Sequence, residues 1–277
     1  MSAPDPSFMA SHFAGPVQAG AYVNSLFTGI ALMQLQVYIR KYKGDSILIR
    51  GLVALSCSIM TLNTVLTAFQ AYYSTIVRFG DIVATYTLTL PFQIGLDTIV
   101  LPSSLIQLFF AWRVKRLTGR TWVLAIVATS VIFQWSVTIT AISIGNVHTS
   151  IQQVLALTGW ALSMAIDTLI TVNLVIFFNT RKTGYSDTDD FLAMLNRVAI
   201  QTGVMISLWN VTIIILESIY PDFTSLILIV AFPPLYVITL LSSLNSRHAT
   251  DHGNHWSDDT PWTASGTVTA PRRVCDS

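Results

Sequence analysis

Three acidic residues lie inside long apolar stretches, where an ionisable side chain usually has a function. They are Asp97, Asp167 and Glu217, and Glu217 is the only glutamate in the chain. A charged group at the centre of a bilayer costs at least about 2.5–3.5 kcal/mol. No lysine or arginine lies at a comparable depth in any apolar stretch. An acid without a basic partner favours its protonated form or binds a cation, so the three residues are candidates for ligand or ion binding.

A structural role is the alternative for each of these acids. A protonated aspartate can hydrogen-bond to a neighbouring helix and only hold the helices together. Both interpretations stay open for Asp97 and Asp167. For Glu217, which lies near the interface and close to Asp222, a solvated or structural role is favoured. If all three helices share one cavity, its mouth would be acidic and would open outward, which would suit an amine, another cation or proton movement.

The apolar stretches that position these acids predict an all-α, polytopic membrane protein. Only 10% of the residues are charged and the mean hydropathy is +0.60, whereas soluble domains carry roughly a quarter charged residues. Backbone amides have no water partner in lipid, so spanning runs of this kind must be helical. Hydropathy predicts a seven-transmembrane-helix bundle with spans at about 17–39, 47–72, 91–113, 121–144, 154–179, 196–219 and 223–243.

The basic residues predict an orientation for this bundle. Fourteen of the fifteen lysines and arginines lie on one side of the predicted membrane, and only Arg78 lies on the other. Short basic links stay in the cytoplasm, so we expect residues 1–16 to be a short extracellular N-terminus, 17–246 the transmembrane domain, and 247–277 a disordered cytoplasmic tail. The N-terminal segment lacks the positive region of a cleavable signal peptide, so we expect the first span to stay in the protein. With no Lys-Asp-Glu-Leu retention signal, the plasma membrane is favoured over internal membranes.

Several function classes lack their residues in this sequence. All four lysines lie in the basic links, so a retinal Schiff base in the last span has no amine on which to form. The spans contain no histidine cluster and no nucleophile–base pair, so we expect no enzyme, no cofactor and no catalytic residue. His248, His252 and His255 lie in a tail with no apparent fold, so we expect no metal site. No nucleotide-binding loop is present and we expect no nucleic-acid partner.

Short motifs distributed along the chain resemble one known family. They are Pro91-Phe92-Gln93 with Asp97-Thr98, Gln107-Leu108-Phe109-Phe110-Ala111-Trp112-Arg113, Asp167 with Leu169-Ile170-Thr171, Arg181-Lys182-Thr183-Gly184 with Thr188-Asp189, Gln201-Thr202-Gly203, and Leu244-Asn245-Ser246-Arg247. In combination they resemble a family of seven-span integral membrane proteins from mushroom-forming fungi, defined only as a domain of unknown function, with the densest match at 163–248. The resemblance implies a membrane location and a fungal source, and it supplies no substrate and no functional residue.

Two functional hypotheses remain. The first is a receptor-like or sensory seven-helix protein that binds a small molecule or cation and recruits a cytoplasmic partner through its basic links. The second is a small transporter or a proton- or cation-linked carrier that uses Asp97 and Asp167. Partner recruitment would favour the first hypothesis, and acid-dependent flux would favour the second.

Overall fold

The computed structural model describes residues 14–42, 44–78, 89–144, 149–180, 186–219 and 223–246. These residues form α-helices and no strand. A π-helical turn, Tyr73–Val77, extends the second helix, and a 3₁₀ turn, Phe223–Ser225, precedes the eighth. The helices are α1 (Gly15–Lys41), α2 (Ile47–Tyr72), α3 (Leu90–Asp97), α4 (Val100–Thr118), α5 (Thr121–Ile144), α6 (Thr149–Thr180), α7 (Ser186–Ile219), α8 (Leu226–Ile229) and α9 (Phe232–Asn245).

Six helical segments of the described residues are long and apolar enough to cross a membrane. They are Ile47–Val77, Gln93–Thr118, Thr121–Thr140, Gln153–Thr180, Asn196–Ile219 and Leu226–Asn245. Together they indicate a multi-pass integral membrane protein in a lipid bilayer. The all-helical fold and the membrane location are therefore confirmed, whereas the number of seven spans and the orientation of the termini stay predictions.

The first predicted span, 17–39, lies within α1 and is absent from these six segments. With 27 residues, α1 is about 40 Å long at the helical rise of about 1.5 Å per residue. This helix is more polar than the six segments, and some of its polar side chains are buried against neighbouring helices. Asn24 and Thr28 are buried, and the Thr28 hydroxyl lies 2.8 Å from that of Thr64 on α2.

Prolines divide two of the predicted spans into two helices each. Proline lacks an N–H, and its ring clashes with the carbonyl four residues earlier. Pro102 therefore accounts for the break between α3 and α4 at Thr98, where the Thr98 amide still bonds to Ile94. Pro233 and Pro234 account likewise for the break between α8 and α9.

Carbonyls near these breaks accept hydrogen bonds from side chains, as irregular backbone inside a membrane protein requires. The Asn63 amide donates to the Gly95 carbonyl at 2.7 Å. The Trp209 ring N–H donates to the Leu228 carbonyl at 3.1 Å. Both breaks are thus held by a neighbouring helix, α2 in the first case and α7 in the second.

The last helix, α9, lies at the centre of the bundle. The spanning segment Leu226–Asn245, to which α9 belongs, is the most enclosed of the six, and 72% of its apolar stretch is buried. Its residues form much of the main hydrophobic core together with residues of α1, α2, α4 and α7. Trp160 packs edge-on against Phe232 with ring centroids 5.0 Å apart, so it helps to hold α6 against α9.

One end of the bundle is rich in arginine and lysine, and we call it the basic end. Hydrogen bonds bring the C-terminal ends of several helices together there. The Tyr42 hydroxyl after α1 donates to the Asn245 carbonyl of α9 at 3.0 Å. Arg113 near the end of α4 donates to Ser243 of α9. These bonds tie α1 and α4 to α9 at the basic end.

Candidate functional site

Four polar side chains meet deep inside the bundle, and we call them the central polar cluster. Gln107 comes from α4, Ser163 and Asp167 from α6, and Tyr236 from α9. Each is at most 6% exposed. Ser163 and Asp167 are four residues apart, so they lie on the same face of α6. Asp167 is the only one of the four that the sequence marked as a site candidate.

Neutral donors satisfy both oxygens of the Asp167 carboxyl group. The Tyr236 hydroxyl donates to Oδ2, and Gln107 Nε2 lies 3.2 Å from Oδ1. Ser163 Oγ lies 3.2 Å from the Tyr236 hydroxyl oxygen. Within the described residues Asp167 makes no hydrogen bond with a basic side chain, so neutral dipoles hold the acid instead of a counter-charge.

Gln107 has more potential partners than its hydrogens can serve. Its Nε2 lies 3.3 Å from Ser163 Oγ and 3.3 Å from the Tyr236 hydroxyl, besides its contact with Asp167. An amide nitrogen has only two hydrogens. Its Oε1 is buried and finds no hydrogen-bond partner among the described residues. A buried acceptor without a partner costs about 1–3 kcal/mol, so this cluster has a hydrogen-bonding capacity that the described protein atoms do not fill.

A cavity adjoins the cluster on the side of the basic end. The cavity volume is about 40 Å³, counted as the positions that the centre of a water molecule can occupy. On the same measure, one ordered water needs about 10–15 Å³. The cavity therefore holds about three waters or a small ligand. Its lining residues are Phe110, Arg113, Asp167, Ile170, Thr171, Leu174, Phe178, Ala199, Thr202, Gly203, Ile206, Tyr236, Thr239 and Ser243.

The lining follows helical periodicity on each helix that contributes to it. On α6 it begins at Asp167 and continues toward the basic end; on α7 it comprises the positions 199, 202, 203 and 206. Residues at spacings of three and four share one helical face. Three threonine hydroxyls and the Ser243 hydroxyl supply polar atoms between otherwise apolar walls, a composition that is typical of small-molecule sites.

Opposite charges occupy different parts of this cavity wall. Asp167 lies at the central cluster, and Arg113 lies six residues, or about 1.7 turns, further along α4 than Gln107 does. Arg113 is half-buried, and its Nη1 donates to Ser243. The second arginine that reaches inward here, Arg120, donates instead to Asn173 at 2.9 Å and does not line the cavity.

A close contact between helices shapes the wall of the cavity. A Cβ atom at Gly203 would lie only 2.2 Å from Oγ1 and 2.5 Å from Cγ2 of Thr171. Real Cβ atoms essentially never show contacts under 3.0 Å, so only glycine fits at this position of α7. The close approach of α6 and α7 fixes where Thr171 and Thr202 face the cavity.

The other two predicted site residues do not meet Asp167 in this cavity. Glu217 lies near the far end of α7, where its carbonyl accepts a hydrogen bond from Gln153 at 2.8 Å. Its Oε2 is buried without a hydrogen-bond partner among the described atoms. The side chain of Asp97 lies outside the described residues. The cavity found here lies toward the basic end, whereas the shared acidic cavity was placed toward the opposite end.

Sequence reasoning missed three of the four cluster residues. Gln107 entered only through a motif of the family resemblance, and Ser163 and Tyr236 were not marked as candidates. A usable signal was present, because Gln107 and Tyr236 are polar residues in the interior of otherwise apolar spans. Since several spans contain such residues, the sequence could not show which of them point at Asp167.

Comparison with known proteins gives a family match over part of the chain. The model of a family of unknown function (DUF6534) matches residues 163–249. No curated protein and no solved structure matches the chain. The match confirms the resemblance to a domain of unknown function over that segment; the fungal source stays a prediction. The matched segment includes Ser163, Asp167 and Tyr236 and all the cavity lining except Phe110 and Arg113.

Proposed function

We propose that this protein is a receptor-like membrane sensor that binds a small molecule with a positively charged group beside Asp167. The observation that carries the proposal is a single buried carboxyl group that is held by neutral donors and also lines a cavity. An acid without a basic partner attracts a cation more strongly in a low-dielectric site than in water. The ligand would supply the missing counter-charge.

Signal transfer would follow from the position of the cluster. It connects α4, α6 and α9 through Gln107, Asp167 and Tyr236, and α9 belongs to the most enclosed spanning segment. A ligand that binds one arrangement of these helices better than another shifts their equilibrium. With the N-terminus outside and seven spans in the plasma membrane, as we propose, the shift would reach a cytoplasmic partner at the basic links.

Ammonium binding to the reconstituted protein tests this function. We would titrate n-butylammonium into wild-type protein in nanodiscs at constant ionic strength and follow the midpoint of thermal unfolding. A ligand that binds only the folded state adds about 2.7 kcal/mol of stability at a concentration of 100 times Kd, so the midpoint should rise with dose.

Two isosteric variants separate the site from the remaining acids. Asp167→Asn keeps the shape but loses the charge, and we expect at least a tenfold weaker affinity. Glu217→Gln is the matched control, because Glu217 does not line the cavity, and it should bind as the wild type does. No rise in the wild-type midpoint, or an equal rise in Asp167→Asn, would refute a cation site at Asp167.

A proton- or cation-linked carrier is the second candidate, and the broken helices favour it. Transporter sites are often built from discontinuous helices near the middle of the membrane. Gln107 and Tyr236 lie on α4 and α9, each shortly after such a break. Proteoliposomes under an imposed pH gradient distinguish the two functions. Flux that Asp167→Asn abolishes would replace the sensor by a carrier, whereas ammonium binding without flux would support the sensor.

A further inference from the structure

An exposed arginine lies over an exposed tryptophan near the basic end of α4. Trp112 is 42% exposed, and Arg116 is exposed as well. The Cζ atom of the Arg116 guanidinium lies 5.2 Å from the centre of the Trp112 ring. The two residues are four positions apart, so they share one face of the helix. Because α4 belongs to a spanning segment, this exposed face is turned toward lipid.

The length of the spanning segment places this pair at the edge of the hydrocarbon layer. Gln93–Thr118 has 26 residues, which is about 39 Å at about 1.5 Å per residue, whereas the hydrocarbon layer is about 30 Å thick. A centred segment therefore extends roughly 4–5 Å, or about three residues, into the headgroups at each end. Arg116 is the third residue from the end, so it lies at the level of the headgroups, and Trp112 lies about one turn deeper.

The positive charge at this level is not balanced by the protein around it. Residues 113–120 include four basic side chains and no acid. Within the described residues, Lys115 and Arg116 make no hydrogen bond and no ion pair. Asp45 is the only acid at the basic end whose side chain is described, and it accepts a hydrogen bond from Tyr38 at 3.0 Å. The N–H donors of Arg116 are therefore available to a group outside the protein.

From this geometry we infer that the exposed face of α4 binds an anionic phospholipid, with the lipid phosphate at Arg116 and the start of an acyl chain against Trp112. A guanidinium carries its N–H groups in a planar fork that suits two oxygens of one phosphate. An arginine that lies over an aromatic ring keeps these in-plane donors for hydrogen bonds. Lys115 adds positive charge at the same level. A zwitterionic lipid fits less well, because its own cation neutralises its phosphate.

Fluorescence quenching by brominated lipids tests this inference. Wild-type protein would be placed in phosphatidylcholine nanodiscs that contain the same small fraction of either brominated phosphatidylglycerol or brominated phosphatidylcholine. The emission that is lost in Trp112→Phe defines the Trp112 signal. We expect phosphatidylglycerol to occupy the site about fivefold more than its mole fraction predicts, since a basic residue near an anionic surface contributes about 1 kcal/mol. Equal quenching of Trp112 by the two lipids would overturn the anionic-lipid site. Both leaflets of a nanodisc contain the lipid, so the test does not depend on the orientation of the protein.

Variants of Arg116 show whether this residue holds the phosphate. Arg116→Gln should quench equally with both lipids, whereas Arg116→Lys keeps the charge and should retain part of the preference. Arg197→Gln is the matched control, because Arg197 is exposed at the same end on α7 and the described residues place no aromatic ring under it. It should keep the wild-type preference. A preference that persists in Arg116→Gln, or that falls equally in Arg197→Gln, would refute the assigned role of Arg116.

Discussion

Replacing Gly203 by alanine tests how closely α6 and α7 pack at the cavity. The new Cβ atom would lie 2.2, 2.5 and 2.9 Å from Oγ1, Cγ2 and Cβ of Thr171. Because three atoms of one β-branched side chain are too close, rotation of Thr171 cannot relieve the contact and the helices must move apart. Such overpacking costs about 1–3 kcal/mol.

The higher helix propensity of alanine opposes this steric cost. Alanine is more favourable than glycine inside a helix by about 0.5–1 kcal/mol. The steric cost is larger, so we expect Gly203→Ala to lower the free energy of unfolding by about 1–2 kcal/mol net. Gly159 on α6 has open space around its Cα, with nothing within 4 Å of an added Cβ. Gly159→Ala should therefore keep only the helical gain and leave stability unchanged or slightly higher.

The buried thiol of Cys57 provides the assay. Cys57 is 6% exposed, and the chain has one other cysteine, Cys275, which a Cys275→Ser background removes. A thiol-reactive fluorogenic dye then reports unfolding as Cys57 becomes accessible. Since 1 kcal/mol shifts a midpoint by about 2–4 °C in chains of 150–250 residues, we expect Gly203→Ala to unfold several degrees below Gly159→Ala.

A second substitution at the partner position decides the interpretation. Thr171→Ala removes Oγ1 and Cγ2, the two atoms closest to the added Cβ. In the Gly203→Ala background it should restore most of the lost stability, with a coupling of about 1 kcal/mol or more. If Gly203→Ala unfolds at the same temperature as Gly159→Ala, or if the two substitutions are simply additive, then the contact between α6 and α7 does not limit the packing at this cavity.

Three further substitutions probe hydrogen bonds between helices. Tyr236→Phe removes the hydroxyl that donates to Asp167, and it should destabilise the protein by about 1–3 kcal/mol in the same thiol assay; an unchanged midpoint would mean that Asp167 finds another donor. Asn63→Ala leaves the Gly95 carbonyl without its amide donor at 2.7 Å. We expect denaturant titration to show a free energy of unfolding that is lower by about 1–3 kcal/mol. No decrease would show that the break between α3 and α4 is stable without this hydrogen bond. Trp209→Phe keeps an aromatic ring but loses the N–H that donates to a carbonyl of α8 at 3.1 Å. Hydrogen exchange of α8 should accelerate by about tenfold for a loss of about 1.4 kcal/mol; unchanged exchange would contradict a role of Trp209 in holding α8.

The membrane location and the all-helical fold could be read from the sequence because both depend on local composition. A long apolar run must be helical in lipid whatever its neighbours are. The predicted spans 47–72 and 121–144 thus coincide with α2 and α5. Proline disturbs a helix for an equally local reason, and Pro102, Pro233 and Pro234 each lie just after a break in the structure. Only the first predicted span lies in a helix that is too polar to be among the six spanning segments. This helix contacts α2 as well as lipid, and its Asn24 is buried against α2.

The candidate site could be predicted only in part. The sequence marked Asp167 because a charge in lipid is costly wherever it occurs, and that argument needs no partner. It could not assign Gln107 and Tyr236 to Asp167, since these residues are 60 and 69 positions away along the chain. It also could not show which of Asp97, Asp167 and Glu217 face one cavity, because hydropathy does not show which way a helix is turned.

The sequence alone therefore shows that the helices lie in lipid and that the acids within them are costly to bury. The tertiary structure alone decided which polar residues meet. Each helix can rotate about its own axis without changing its hydropathy, and interhelical packing fixes that rotation. The fit of Gly203 against Thr171 and the central position of α9 are such packing facts. They place one acid, one phenol and one guanidinium around the same small cavity.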